Sequence, residues 1–251
     1  MTPPADSGFD WTTGPTGRVL QSRALLARAA HVFTSRDVSF RGREAAAHEA
    51  HLASALNVGA DAVVTVKQVH GRAISIVEPG VAMAPAEADA IVSLDPARAI
   101  AVRVADCVPI LLADRQRRVV AAVHAGWRGT CAGAALATVE TIRELGVDPG
   151  DLVAALGPSI GPCCYEVDDK VRASFLSATP DAAVWFAESG ERRWMLDLWP
   201  ANVDQLASAC VPECAIHTAR LCTKDHPETC FSYRREGPGA GRLVAAIRLT
   251  T

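Results

Sequence analysis

The chain has 251 residues and a net charge of −3, and 49% of its residues are hydrophobic but only 5% are aromatic. This length suffices for one large hydrophobic core, and the weak net charge argues against a nucleic-acid-binding protein. No apolar run reaches the roughly 18 residues of a membrane helix, and the polar N-terminus lacks the pattern of a secretory signal. We therefore expect a cytoplasmic protein without nucleic-acid or membrane partners. In a reducing compartment we expect its eight cysteines to be reduced thiols, metal ligands or a nucleophile rather than disulfides.

Apolar spacing along the chain predicts strands and helices that mix without strict alternation, which is typical of an α/β protein with a mixed sheet. Residues 1–17 are polar and rich in Pro, Gly and Thr, so we expect a flexible tail there and a single catalytic domain over 18–251. The run 19–26 fits either a strand or a helix. Strands are predicted over 30–36, 62–66, 73–77, 88–92, 99–104, 108–113, 119–123, 152–156, 194–198, 216–218 and 243–249. Helices are predicted over 44–56, over 130–145, from after the loop 157–166 up to 177, and over about 202–209. Thr130 is the predicted N-cap of the second helix, and Gly146 is predicted to terminate it. A long loop is predicted over 222–241.

Three polar residues stand where apolar runs end: His70, Cys107 and His124. Strand ends can converge on one edge of a sheet, and two imidazoles with a thiolate are a good ligand set for zinc or copper. Three protein ligands would leave a fourth position open, as in catalytic zinc sites. The same residues also allow a site without metal, in which Cys107 is the nucleophile, a histidine is the base and Asp106 orients it. Buried packing of each residue is the third alternative.

Several loops could bind an anion. The turn at 124–129 has two glycines between a strand and a helix start, and Arg128 could grip a phosphate or carboxylate there, or lie solvated. The cations at 231–235, with Arg242, could close over an anionic group or lie on the surface. Cys163 and Cys164 are interpreted as packing residues, and Cys222, Cys230 and His226 as a weak candidate for a second metal site.

Five ordered motifs resemble the YfiH-type family, whose members were called multicopper polyphenol oxidases or laccase-domain proteins. The motifs are Lys-Gln-Val-His-Gly at 67–71, Ala-Asp-Cys-Val-Pro-Ile at 105–110, His-Ala-Gly-Trp-Arg-Gly at 124–129, Gly-Pro-Ser-Ile-Gly-Pro-Cys-Cys-Tyr-Glu-Val at 157–167, and Phe-Ser-Tyr-Arg-Arg at 231–235 with Gly-Arg at 241–242. The resemblance runs from about residue 33 to the C-terminus. This sequence lacks the Gly-Gly pair that the family usually has shortly after the residue matching Arg36.

The resemblance implies a single-domain α/β/β/α sandwich with mixed sheets. It implies zinc, or copper in its place, on His70, Cys107 and His124. It implies phosphorolysis of adenosine, inosine and methylthioadenosine to free base and ribose 1-phosphate, together with deamination of adenosine. The expected partners are purine nucleosides and phosphate, and the expected assembly is a monomer or a small homo-oligomer. The candidate binding residues for substrate and phosphate are Arg36, Gln68, Arg128, Arg234 and Arg242.

Three other functions remain open from the sequence. A copper-dependent polyphenol oxidase is one, although seven histidines are few for a multi-copper cluster. A cysteine hydrolase that uses Cys107 without metal is another. A binding protein without catalysis is the third.

Overall fold

The computed structural model describes residues 8–84 and 86–250, which form two six-stranded mixed sheets and a small three-stranded sheet. The strands are β1 Phe9–Gly14, β2 Gly17–Ser22, β3 Ala29–Thr34, β4 Val63–Val64, β5 Ile74–Val77, β6 Ala90–Ser93, β7 Ala99–Val104, β8 Val108–Asp114, β9 Val120–Ala125, β10 Leu152–Leu156, β11 Glu166–Asp168, β12 Phe186–Gly190, β13 Arg193–Leu196, β14 Ile216–Thr218 and β15 Leu243–Leu249. The helices are α1 Arg23–Leu26, α2 Ala45–Ala55, α3 Trp127–Cys131, α4 Ala134–Glu144, α5 Asp169–Ala178, α6 Leu198–Ser208 and α7 Tyr233–Glu236, with short 3-10 turns between them.

The first sheet has the strand order β1-β2-β3-β15-β7-β4, and only β4 and β7 pair in parallel. The second sheet has the order β14-β10-β8-β9-β6-β5, and its outermost pairs at both edges are parallel. The chain crosses from the first sheet to the second between β7 and β8. The small third sheet has the order β11-β13-β12.

The two large sheets pack face to face and carry helices on their outer faces. Side chains such as Val102 of β7, Leu111 of β8 and Ile247 of β15 form the core between the sheets. On the outer face of the first sheet, α2 packs through Leu52, and on the outer face of the second sheet, α4 packs through residues such as Val139. The predicted α/β/β/α sandwich with mixed sheets is therefore confirmed.

Burial on both faces explains why the central strands read as continuous apolar runs. All seven residues of β8 and all six residues of β9 are buried. Alternate side chains of these strands face the other sheet and the helix layer. Such runs reveal where strands lie, and their loops then position the polar residues at the sheet edges.

Four predictions about elements need correction. Residues 1–7 of the predicted tail lie outside the described residues, but residues 9–14 form β1, which pairs with β2, so the tail prediction is wrong there. The run 19–26 is both a strand and a helical turn. The helix predicted over 130–145 is two helices, because Gly133 has a φ of 81° between α3 and α4. Thr130 is consequently buried within α3 and caps nothing, whereas Gly146, with a φ of 83°, does follow the end of α4.

In the second half of the chain, polar capping and small exposed strands explain further differences between the predicted and the observed elements. The strand predicted up to residue 198 ends at Leu196, because the Asp197 carboxylate caps α6 by accepting from the backbone N–H of Trp199. Strands β11 and β12 were not predicted, and the loop 222–241 contains α7. No helix in the described part of the chain is long and apolar enough to span a membrane.

Candidate active site

The three residues predicted as a site converge at one edge of the sandwich. His70 follows β4, Cys107 lies in the crossover from β7 to β8, and His124 lies in β9, which continues to Ala125 rather than ending before the histidine. One ligand atom from each residue lies within 4.8 Å of the other two. The imidazole rings of His70 and His124 have centroids 4.8 Å apart at an angle of 81°. Two loops that cross from the first sheet to the second and one strand of the second sheet thus build this histidine–cysteine trio.

Asp89 holds two members of the trio in place, and the sequence analysis did not identify it. Its fully buried carboxylate accepts from the backbone N–H groups of Val69, His70 and Gly71 at 3.2, 2.9 and 2.6 Å. It also accepts a hydrogen bond of 2.8 Å from Nδ1 of His124. Because a carboxylate can only accept, this bond places the proton on Nδ1 and leaves Nε2 of His124 for the trio. The signal in the sequence was an aspartate inside the apolar run 88–92.

The charges of the trio support one another. Burial raises the pKa of the Cys107 thiol, but the neighbouring His124 and hydrogen bonds to His124 and His70 outweigh it and bring that pKa down to about 6. Burial lowers the pKa of His124, but the Cys107 charge and the Asp89 hydrogen bond raise it to about 9. Cys107 is therefore a thiolate beside a cationic or metal-binding imidazole at neutral pH.

Backbone geometry at the trio is tightly constrained. His70 has a φ of 62° and Asp106, directly before Cys107, has a φ of 95°, both in the region that non-glycine residues rarely adopt. A Cβ at Gly126 would lie 2.8 Å from Sγ of Cys107, so only glycine fits there. Asp106 is not an orienter of a histidine: its carboxylate accepts from the Thr223 hydroxyl and the Arg234 backbone N–H, both at 2.6 Å. Asp106 thus ties the loop before α7 to the trio.

The trio lies in a cavity of about 850 Å³, which is large enough for a small-molecule ligand. Aromatic side chains from separate elements form part of its wall: Phe40, Trp127, Tyr165 and Tyr233. Burial, and next the Cys107 charge, raises the pKa of Tyr165, so its phenol stays protonated at neutral pH. The cavity therefore offers flat apolar surfaces together with a neutral hydroxyl donor.

Five arginines line the cavity, and three of them were predicted as binding residues: Arg128, Arg234 and Arg242. The other two, Arg41 and Arg103, were not predicted. Arg103 pairs with Glu49 at 2.6 Å, whereas within residues 8–84 and 86–250 no ion pair joins the other four guanidinium groups to a carboxylate. Arg128 stacks on Trp127 at 4.3 Å, whereas Arg234 donates to the Glu166 carbonyl at 2.8 Å. These cations are held in place without being neutralised.

Arg41 and Arg242 form the most concentrated positive charge at the cavity. Both donate to the Ala240 carbonyl, at 3.2 and 2.8 Å. Burial lowers the pKa of Arg242, and the neighbouring charge of Arg41 lowers it further. Two guanidinium groups this close favour an anion between them or beside them.

Two other predicted binding residues are held by contacts with distant parts of the chain. Arg36 does not line the cavity; it stacks on Phe231 at 4.9 Å, donates to the Pro227 carbonyl and pairs with Glu236 at 3.8 Å. Gln68 does line the cavity, but its amide exchanges two hydrogen bonds of 2.8 Å with the backbone of Arg103. Gln68 thus extends the pairing of β4 with β7, and the Arg103 backbone holds its amide in place at the cavity wall.

The trio fits a metal ion by its donor set. It supplies one thiolate and two imidazoles at compatible separations, which suits zinc or copper, and three protein ligands leave a position for water or substrate. The contact from Asp89 to Nδ1 of His124 is the carboxylate–histidine arrangement that commonly supports a metal ligand. All eight cysteines are free thiols, so no disulfide competes for Cys107.

Comparison with known proteins identifies relatives over most of the chain. A family model described as multi-copper polyphenol oxidoreductase laccase matches residues 31–250. The protein named purine nucleoside phosphorylase YfiH from Escherichia coli strain K12 is 37% identical over 186 residues, covering 74% of this chain and 73% of that protein. A protein named adenosine deaminase RL5, from an unknown prokaryotic organism, is 36% identical over 209 residues, covering 78% of each chain.

A purine nucleoside phosphorylase from Bacteroides thetaiotaomicron is 35% identical over 165 residues, and the alignment covers 64% of this chain but only 60% of that relative. Among solved structures, the crystal structure of the hypothetical protein YfiH from Bacillus licheniformis superposes with a TM-score of 0.88. The superposition covers 97% of this chain and 100% of that one at 26% sequence identity. The sandwich described above is therefore shared with a solved relative along nearly its whole length.

Proposed function

This chain belongs to the family of multi-copper polyphenol oxidoreductase laccase, or YfiH-type, proteins, and from that premise we propose that it is a metal-dependent purine nucleoside phosphorylase that also deaminates adenosine. The proposed substrates are adenosine, inosine and methylthioadenosine, with phosphate as the second substrate of phosphorolysis. The proposed metal is zinc, with copper as the alternative. The names of the relatives support the reaction class, and the chemistry of the cavity supports the substrates.

The observation that carries the proposal is the combination of the trio with four unneutralised arginines in one cavity. Phosphorolysis needs an anion site that aims a phosphate oxygen at C1′ of the ribose while the bond from C1′ to N9 of the purine breaks. Arg41 and Arg242 are the proposed phosphate site. The aromatic wall, including Trp127 and Tyr165, is the proposed purine site, since flat π-faces stack well on bases.

In the proposed mechanism, His70, Cys107 and His124 hold the metal. A zinc ion in this ligand set supplies Lewis acidity for hydrolytic deamination at C6 of adenine. Asp89 keeps His124 in the tautomer that presents Nε2. Tyr165 remains protonated and lines the cavity, and its proposed role is to donate to a purine nitrogen or a ribose oxygen. Arg128 and Arg234 hold positive charge near the trio, which stabilises negative charge that develops in either reaction.

The test is incubation of the purified, metal-analysed protein with adenosine, with and without phosphate, and separation of the products by chromatography. We expect adenine release that requires phosphate, and inosine formation in either buffer. Cys107→Ala should abolish both, and Arg242→Ala should impair adenine release far more than inosine formation. A folded, metal-loaded wild type that converts no adenosine, inosine or methylthioadenosine contradicts the proposal.

The description of the family model favours one second candidate, a copper-dependent polyphenol oxidase. A multi-copper cluster needs many imidazoles, but within the described residues the trio is the only group of potential metal ligands that contains histidine. Oxygen consumption with a phenolic substrate and stoichiometric copper would favour this candidate. The same assay with zinc-loaded protein separates it from the phosphorylase, because zinc has no redox chemistry.

A further inference from the structure

We propose that Cys163, Cys164 and Cys222 form a second metal site, which binds one soft monovalent cation of the Cu(I) type. The three Sγ atoms lie within 4.8 Å of one another. None of the three residues lines the cavity of the trio. This cysteine triad is therefore a separate site, and it does not depend on the proposed nucleoside chemistry.

Two chain segments that are firmly joined by backbone hydrogen bonds supply the triad. Ser159 and Cys222 form a parallel β-bridge, with bonds from Ser159 to the Leu221 carbonyl at 3.1 Å and from Thr223 to the Ser159 carbonyl at 3.0 Å. Cys164 donates its backbone N–H to the Gly161 carbonyl at 3.0 Å, which closes a tight turn through Pro162. The turn and the bridge fix the relative positions of the thiols before any ion binds.

The segment that carries Cys163 and Cys164 packs closely against the segment that carries Cys222, so neither backbone can move far. A Cβ at Gly161 would lie 2.8 Å from the Trp199 ring and 3.3 Å from Cβ of Cys222. The backbone N–H of Gly161 also donates to Sγ of Cys222 at 3.3 Å. An N–H donor of this kind stabilises negative charge on sulfur, as the outer-shell partners of metal ligands do.

The donor set favours Cu(I). An all-sulfur set selects Cu(I), zinc or iron–sulfur clusters. Zinc and iron in such sites take four protein ligands, and within the described residues no fourth ligand atom of a cysteine, histidine or carboxylate lies within 4.8 Å of all three sulfurs. Three sulfurs at about 2.3 Å from one ion would stand about 4 Å apart in a trigonal plane, and all three Sγ separations here are within 4.8 Å.

Exposure of the three thiols gives the ion an entry path. Cys163 is exposed, Cys164 is half-buried and Cys222 is only 5% exposed. An ion can thus be captured by Cys163 and transferred inward to the buried thiol.

The test is an anaerobic titration of the reduced, zinc-loaded protein with Cu(I), with a chromogenic Cu(I) chelator as competitor. We expect one tightly bound Cu(I) at the triad, with a near-ultraviolet thiolate-to-copper absorption band and three sulfur neighbours in the X-ray absorption spectrum. Cys163→Ser, a change at an exposed position, should weaken this binding at least about tenfold. Cys222→Ser should weaken it at least as much.

Matched variants separate the triad from the trio. Cys214→Ser, another exposed cysteine outside the triad, should bind Cu(I) like the wild type. Cys107→Ala should retain the triad's Cu(I) and its absorption band, even though the trio has lost its thiolate. Cu(I) binding that persists unchanged in both Cys163→Ser and Cys222→Ser overturns the proposal. Cu(I) binding that is present in the wild type but lost in Cys107→Ala overturns it as well.

Discussion

Asp89 shows how one buried side chain can position several others. Its carboxylate accepts from three consecutive backbone N–H groups after Gln68 and from His124 in the neighbouring strand β9. Burial raises the pKa of Asp89, but the His124 hydrogen bond and the bond from Gly71 outweigh it, so the group remains ionised. The loop of His70, which has an unfavourable left-handed φ, is held by these bonds.

Asp89→Asn is therefore expected to weaken metal binding about 10- to 100-fold. The side-chain amide has only one acceptor oxygen, and its NH₂ group would face N–H groups that now donate to the carboxylate. Metal retention against a chelator and kcat/KM for adenosine measure the effect. Asp114→Asn is the matched control: it also removes a buried carboxylate that accepts backbone N–H bonds in a turn, but far from the trio. If both variants lose metal equally, Asp89 acts only through general stability.

The residues of the trio could be predicted because each one interrupts an apolar run. Asp89 also lies in such a run, but its hydrogen-bond partners come from a loop about 20 positions earlier and from another strand. No local sequence pattern predicts these partners. Arg36 and Gln68 were predicted to bind ligand, and the structure adds contacts of both with distant segments that the sequence did not indicate. Residue type at a loop is visible in sequence, but the direction of a side chain depends on tertiary contacts.

At the scale of elements, His31 joins two neighbouring strands of the first sheet. Its Nε2 accepts from the backbone N–H of Ser22 at 2.8 Å, and Nδ1 lies 3.3 Å from the Ala29 carbonyl, so the ring is neutral with its proton on Nδ1. Burial lowers the pKa of His31 to about 4, and the hydrogen bond to the Ala29 carbonyl raises that pKa by a smaller amount.

Because the pKa of His31 is lower in the folded state than in the unfolded chain, the unfolded state binds more protons between about pH 6.5 and 4. The contribution of His31 is thus fully present above pH 6.5 and is lost as the pH falls toward 4. From pH 7.5 to 5 the loss in free energy of unfolding is about 2 kcal/mol. His31→Gln should remove this part of the pH dependence in urea unfolding, while His51→Gln, at an exposed histidine, should not. An unchanged slope in His31→Gln contradicts the prediction.

Elements buried on both faces were predicted best. Strands β7, β10 and β15 are largely buried and have the predicted bounds, because apolar residues dominate them and polar residues or turns end them. Two strands of the small third sheet, β11 and β12, were not predicted, and β12 is mostly exposed and carries no alternating apolar pattern. The split between α3 and α4 was missed because apolar spacing continues across Gly133, and only its left-handed backbone ends the first helix.

At the scale of the whole molecule, the sandwich depends on how closely the two large sheets approach. Periodicity predicts the strands but not which strands share a sheet, and the four-layer arrangement was predicted only through the resemblance to a known family. One contact that sets the approach joins Phe33 of β3, in the first sheet, to Gly157, directly after β10 of the second sheet. The Phe33 ring is 2% exposed and occupies the position that a Cβ at Gly157 would take.

Gly157→Ala should therefore force the sheets apart at this point. We expect the free energy of unfolding to fall by at least about 1–3 kcal/mol, as for overpacked cores, measured by urea unfolding. Phe33→Ala alone should cost about 3–5 kcal/mol by leaving a cavity. In the Phe33→Ala background, the added methyl group of Gly157→Ala meets no ring and should cost almost nothing. The two changes would then be strongly non-additive, as expected for residues in direct contact. Additive losses would mean that Gly157 is required for its own backbone or for another neighbour, and that the sheet spacing is set elsewhere.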